Sequence, residues 1–220
     1  MVLENIFGFL LAYNPAVAVA VYSTIVLVLI NIFYRILVNQ NAAKELKAQT
    51  KELSKKMREE QKAGHTQEAT KLMTEMMQQN TKLMRLTLKP MIISFIIVLI
   101  LLPFLADSYP DVHVSIKDGA GNFTLNNNRY DVGMINIGSG ITLGQPGGSS
   151  AAIEWGSTYK IENNLYEIGP DGGNVKLARV VALLPFSLPI VENTLGWLGW
   201  YILVSIPLVI LLRKIMKIYV

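Results

Sequence analysis

PAVAVAVYSTIVLVLINIFYRILV, residues 15–38, carries one formal charge, Arg35, in an otherwise apolar run. A bilayer core about 30 Å thick is crossed by roughly 20 apolar residues in a helix. Two further blocks read the same way: PMIISFIIVLILLPFLA at 90–106, and an apolar block from Asn193 to Leu212 within a span over 193–214. Hydrophobic residues make up 51% of the 220 and charged residues 16%. A soluble domain would scatter its apolar residues by helical or strand period, whereas here they are gathered into three blocks. These features predict an α-helical membrane protein with three transmembrane helices. The first block is too long for a signal-peptide core. Residues 1–14 hold Glu4 and neither Lys nor Arg, so the helix is expected to be retained.

Charge sets the expected orientation. Of the twenty Lys and Arg residues, twelve lie between Arg35 and Lys89 and three (Arg213, Lys214, Lys217) follow the third block. The loop from Asp107 to Glu192 has five, against nine Asp and Glu. Positive residues favour the cytoplasmic side of short loops. The N-terminus and the long loop are therefore expected outside, with the segment 39–89 and the tail 215–220 in the cytoplasm. Trp197, Trp200 and Tyr201 at the outer end of the third block agree, because amphipathic rings favour the interface. The sequon Asn122-Phe123-Thr124 also falls in the outside loop, where Asn122 would be open to glycosylation.

Between the first two spans, residues 39–62 are rich in Ala and Lys and free of Gly and Pro, a strong helix signal. Gly64 fits a left-handed helix stop, and Thr66 restarts a helix that continues to Lys89. Each arm has about 24 residues and a length of about 36 Å. Equal arms and a tight turn predict an antiparallel coiled-coil hairpin over 39–89. Ala42, Leu46, Gln49 and Leu53 would form one seam, and Ala69, Leu72 or Met73, Met76, Leu83 and Leu86 the other, with Gln49 and Asn80 as polar interruptions. Met57, Met73, Met76, Met77 and Met84 have two readings: filler for a loose seam, or an adaptable surface for hydrophobic clients. The excess of basic residues is either a solvated face or a surface for anionic lipid or ribosomal RNA.

The chain changes character at Asp107. Twelve of its sixteen glycines lie between there and Arg179. Val112–Ile116 alternates like a strand, and Tyr159–Ile168 and Val175–Val181 read as strands around Pro170-Asp171-Gly172-Gly173. A small extracytoplasmic β-rich domain over 107–179 is expected. Calcium loops lack the spaced carboxylate pattern, so the aspartates near glycine serve turns. Residues 1–14 and 180–192, apolar but broken by Asn14-Pro15, Pro185 and Pro189, are expected at the outer interface. Asn193 or Thr194 would cap the third helix.

Polar groups inside spans are costly and usually face a protein or water-filled interior. Asn31 and Arg35 lie about 10 Å and 5 Å from the inner end of the first span, and Ser94 and Ser205 at comparable depth in the other two. They predict a polar recess open to the cytoplasm. The plainer alternative is that Arg35 snorkels and Asn31 pins helix packing.

The order of elements, with the Asn14-Pro15 entry, the hairpin leading into Lys89-Pro90-Met91 and the last helix opened by Trp197-Leu198-Gly199-Trp200-Tyr201, resembles the YidC-type membrane protein insertases. It is most similar to their archaeal YidC-like branch. The resemblance implies a chaperone and insertase of the plasma membrane that aids protein transport without ATP. Its groove would receive nascent transmembrane segments, its hairpin would receive clients, and its partners would be nascent membrane proteins, the lipid bilayer, the ribosome and other membrane subunits. Arg35 would be the positive groove residue. The external β domain departs from the bacterial pattern.

A membrane signalling receptor and a structural subunit of a membrane complex are the competing readings. No paired acid, nucleophile–base set or metal cluster is legible at membrane depth, so no enzymatic activity and no cofactor are expected. The absence of cysteine excludes disulfides and thiolate metal sites. His65 and His113 are expected on opposite sides of the membrane.

Overall fold

The computed structural model describes residues 2–135, 139–185 and 193–219. Three helices are long and apolar enough to cross a membrane: α2 (Pro15–Leu37), the apolar half of α4 (Thr66–Ser108) and α5 (Trp197–Ile215). Before them, α1 (Val2–Phe7) and a 3₁₀ turn (Gly8–Ala12) form a short apolar stretch. Leu10 is buried there, while Ile6, Phe9 and Tyr13 are exposed. Two compact units divide the chain. One comprises Met1–Ala20 and Pro103–Leu203, the other Val21–Leu102 and Val204–Val220.

The second unit contains α3 (Gln40–Lys62), which starts where Asn39 accepts a hydrogen bond from the backbone N–H of Ala42. It stops at Gly64, whose φ of 81° suits glycine. His65 N–H bonds the Glu60 carbonyl and Gly64 N–H the Gln61 carbonyl, the paired bonds of a Schellman stop. The second polar arm and the span that follow are one continuous helix, α4, of 43 residues or about 65 Å. Pro90 sits within it, buried. It lacks the N–H that would bond the Leu86 carbonyl, so the helix passes this point with one bond missing.

Burial in the two arms follows a regular stripe. In α3 it runs through Ala43, Leu46, Thr50, Leu53 and Met57, with the expected Ala42 and Gln49 half-buried beside it; in α4 it runs through Ala69, Leu72, Met76, Gln79, Leu83 and Leu86. Steps of three and four residues alternate along both. Ala43, not the expected Ala42, is the fully buried alanine, and Gln79 replaces the exposed Asn80 as the polar member. One residue turns a helix by about 100°, so neighbouring positions differ in how deeply they are buried. Leu83 packs against the cluster of Tyr34, Val38, Ala43 and Ile218.

The first unit contains a β domain of two four-stranded antiparallel sheets. One has the order β1 (Val112–Val114), β8 (Asn174–Arg179), β7 (Asn164–Asp171), β6 (Thr158–Ile161). The other follows chain order through β2 (Ala120–Leu125), β3 (Asn128–Met134), β4 (Gly140–Gly144) and β5 (Ser150–Glu154). Alternate residues of both sheets meet in one core, with Val114, Ile168, Val175 and Leu177 from the first and Tyr130, Val132, Ile141 and Ile153 from the second. Burying each such aliphatic side chain stabilises the domain by about 1.5–3 kcal/mol.

Two-residue turns set the register. Asp118-Gly119, Asn126-Asn127 and Gly172-Gly173 all take positive φ at both positions, as primed hairpin turns require. The stretch Tyr159–Ile168 is not one strand. It folds back at Glu162-Asn163, with Ile161 opposite Asn164. Glu162 holds φ 56°, a conformation its side chain does not advertise. Its carboxylate accepts hydrogen bonds from Asn126, Asn128 and Tyr130, which hold the turn against the β2–β3 hairpin.

The last helix also starts later than its sequence suggests. Thr194-Leu195 form β10, paired with β9 (Ala182–Leu183), and the Thr194 hydroxyl donates to Glu167. The β-rich region thus extends beyond Arg179 to Leu195, and helix α5 begins at Trp197. The stretch 186–192, expected at the interface, lies outside the described residues.

Candidate functional site

The four polar residues at membrane depth have distinct surroundings, and no hydrogen bond joins any two of them. Asn31 is fully buried on α2, and its Nδ2 donates to the Leu27 carbonyl at 2.8 Å, one turn earlier on the same helix. That carbonyl is also the ordinary acceptor for the Asn31 amide, so the side chain doubles a bond already made. Asn31 Oδ1 is buried without a partner. Ser205 on α5 presents a second such atom, a buried Oγ without a partner. Each unsatisfied atom costs about 1–3 kcal/mol. Ser94 instead returns its hydroxyl to the Pro90 carbonyl at 2.6 Å. That position lies at the proline step, and serine back-bonding is a usual way for a span to handle its hydroxyl.

Arg35 is exposed, and its guanidinium donates to the carbonyl of Met216 just beyond α5. A cation at a helix C-terminus meets the negative end of the dipole and the unsatisfied carbonyls there. Around it lies a set of contacts that the sequence pattern did not reveal. Arg213 stands over the Tyr34 ring at 5.3 Å and Lys44 over the Tyr219 ring at 5.5 Å. Gln40 donates to the Tyr34 and Val38 carbonyls and accepts from the Tyr219 N–H at 2.9 Å. Lys217, with φ 52°, ends α5 in a second Schellman stop. The tail is thereby held against the junction of α2 and α3. Gln40 follows a helix cap and has no distinguishing spacing, so nothing in the sequence marks it.

The hairpin methionines divide. Met57 and Met76 lie in the half-buried stripe, while Met73, Met77 and Met84 are exposed, Met84 to 60%. The exposed set continues along α4 through Leu88, Met91 and Phe95. Exposed apolar side chains thus recur along the continuous helix from the charged arm into the span, with a two-turn gap at Asn80 and Thr81 between Met77 and Met84. Lys56 pairs with Glu52 at 2.8 Å, which holds the Glu52 carboxyl below its usual range. Glu75 on the other arm adds a smaller attraction to Lys56. In the β domain, Asn122 is exposed on β2 opposite Asp131. Among the described residues no group of three His, Cys, Asp or Glu side chains is placed to hold a metal ion.

A family model described as integral membrane protein EMC3/TMCO1-like matches residues 4–116. The match takes in α1 from Glu4 onward, α2, α3, α4 and β1, and it stops before the rest of the β domain and α5. No curated protein and no solved structure matches the chain. The matched segment is half of the chain and holds Asn31, Arg35, Ser94 and the methionine-bearing arms. By that match the chain belongs to the EMC3/TMCO1-like family of integral membrane proteins, within the insertase-related Oxa1/YidC/Alb3-type superfamily.

Proposed function

We propose that this protein is a membrane protein insertase of the archaeal YidC-like kind, which receives nascent transmembrane segments and lowers the cost of passing their polar flanks. The observation that carries this reading is the pair of unpartnered polar atoms, Asn31 Oδ1 and Ser205 Oγ, inside spans of a chain of this family. Polar atoms at such depth reduce stability unless something polar meets them. A client's hydrophilic flank, or water accompanying it, is such a group. No covalent step is needed, so the activity is not enzymatic.

In this reading the arms form a cytoplasmic antiparallel coiled coil, the N-terminus and the β domain lie outside the plasma membrane, and the C-terminus lies inside. The alternating three- and four-residue stripe supports the coiled coil. The exposed line from Met73 to Phe95 suits an apolar client segment moving along α4 towards the bilayer. Arg35, held at the inner end of α5, would attract acidic flanks at the cytoplasmic surface. The ribosome and further membrane subunits are the partners this reading adds to the client.

Photo-crosslinkers placed during translation of a client test it. Ser205 should capture the nascent chain, whereas Ile210, 66% exposed on the same helix, should capture lipid. Equal capture of lipid at both positions would reject the recess.

A further inference from the structure

A second polar site lies in the unit that carries the β domain. A cavity of about 400 Å³ is lined by Asn14 and Pro15 at the start of α2, Asn163 and Asn164 at the β6–β7 turn, Arg179 at the end of β8, and Trp200 on α5. The size is within the range of small-molecule sites. Its walls are unlike each other. Arg179 and the three asparagines supply polar groups, while Pro15, Trp200 and the β9 segment supply apolar surface.

Among the described residues, Arg179 is held at its guanidinium by neutral groups. Its guanidinium stands 5.4 Å from the Tyr166 ring centroid and 5.9 Å from that of Tyr109. One terminal nitrogen donates to the Tyr166 hydroxyl at 3.2 Å and the other to Asn164 Oδ1 at 2.6 Å. Its Nε is buried without a partner. Among the described residues no carboxylate pairs with it. Asp111 instead accepts from the backbone N–H of Arg179 and pairs with Lys176 at 2.9 Å. Among the described residues the guanidinium itself has only neutral contacts, so it has been desolvated in part without the Coulombic return that a paired carboxylate would give. Aromatic rings on two sides fix the planar fork, the arrangement that suits a phosphate oxygen pair.

The cavity also has a defined level. Pro15 begins one span and Trp200 lies in the first turn of another, where its indole N–H donates to the Ala16 carbonyl at 2.8 Å. This is the depth at which lipid headgroups meet spanning helices. We propose that the cavity binds the phosphate of an anionic phospholipid, with Arg179 as the charge partner, the asparagines as hydrogen-bond donors and the Pro15–Trp200 wall against the first acyl carbons. The site is thus a lipid site of the leaflet on the β-domain side. It rests on the membrane embedding of the chain and not on insertase activity.

Native mass spectrometry of the full chain in neutral detergent, titrated with phosphatidylglycerol or phosphatidylcholine, tests this directly. One phosphatidylglycerol should be retained at least about fivefold more tightly than phosphatidylcholine, a margin of about 1 kcal/mol. Arg179→Gln should abolish the preference and Arg179→Lys should keep part of it. If Arg179→Gln fails to fold, Asn163→Trp, which fills the cavity from an exposed turn, should abolish it equally. Glycerol phosphate in millimolar excess separates the sources. Failure to displace the lipid supports a lipid ligand, and displacement supports the same anion site serving a soluble phosphate. Equal retention of the two lipids by the wild type, or an unchanged preference in both variants, would overturn the proposal. So would capture of a client's acidic segment, rather than lipid, by a crosslinker at Asn163.

Discussion

Replacing Asn31 by Val separates the two meanings of a buried amide in a span. The substitution removes Oδ1, whose missing partner costs about 1–3 kcal/mol. It also removes the Nδ2 bond to Leu27, which shares its acceptor with the backbone ladder. Side-chain hydrogen bonds in membrane helices average about 0.6 kcal/mol. Valine is apolar and similar in volume, so cavity and overpacking terms are small. The balance is a gain of about 1 kcal/mol for Asn31→Val. Reversible unfolding of the full chain in mixed micelles reads this gain. Insertion of a client into proteoliposomes, followed by protease protection, should fall by half or more in the same variant. A more stable and less active protein is what a polar group kept for function produces. A loss of stability of about 1 kcal/mol or more with normal insertion would refute the reasoning, because Oδ1 would then have a structural partner and Asn31 would be a packing contact.

Three further outcomes can be measured. Because the chain has no cysteine, single cysteines at Gly64 and Asn127 can be labelled with an impermeant reagent in intact cells. Asn127→Cys should react and Gly64→Cys should not; the reverse would invert the orientation. Ala48→Pro, in the exposed face of α3, should kink that arm at a helix cost of about 3 kcal/mol. The protein should stay in the membrane on alkaline extraction while client crosslinks to the hairpin fall, and unchanged crosslinking would make the hairpin a spacer. In the β domain, hydrogen bonds from Asn128 and then Asn126 hold the Glu162 carboxyl below its usual value of 4.5. A depressed folded value means that the contribution is complete above the unfolded value and is lost as pH falls through the folded one. Amide protection in the β2–β3 and β6–β7 hairpins, measured against the intrinsic exchange rate at each pH, should therefore fall below about pH 4.5, and Glu162→Gln should flatten that response.

The sequence by itself determined the three spans, the stop at Gly64, the presence of two long arms and the primed turns at Asp118-Gly119 and Gly172-Gly173. Each is a local property: uninterrupted apolar length, a left-handed glycine, an unbroken run of helix formers, a turn dipeptide. Three features required the tertiary structure. The first was which seam position is buried, because Ala42 and Ala43 are equivalent until a partner surface selects one. The second was the fold-back at Glu162-Asn163 and the pairing of Thr194-Leu195 with Ala182-Leu183, which depend on contacts distant in sequence that outweigh local propensity. The third was the partnership of each polar group. From the sequence, Asn31, Arg35, Ser94 and Ser205 are four polar side chains at similar depth. In the structure Arg35 and Ser94 are satisfied by the carbonyls of Met216 and Pro90, while Asn31 and Ser205 keep unpartnered atoms. Arg179 is the counterpart in the other unit. It reads as an ordinary strand-end arginine until Tyr109, Tyr166 and Asn164 gather round it, because what a charge lacks is visible only when all its neighbours are in place.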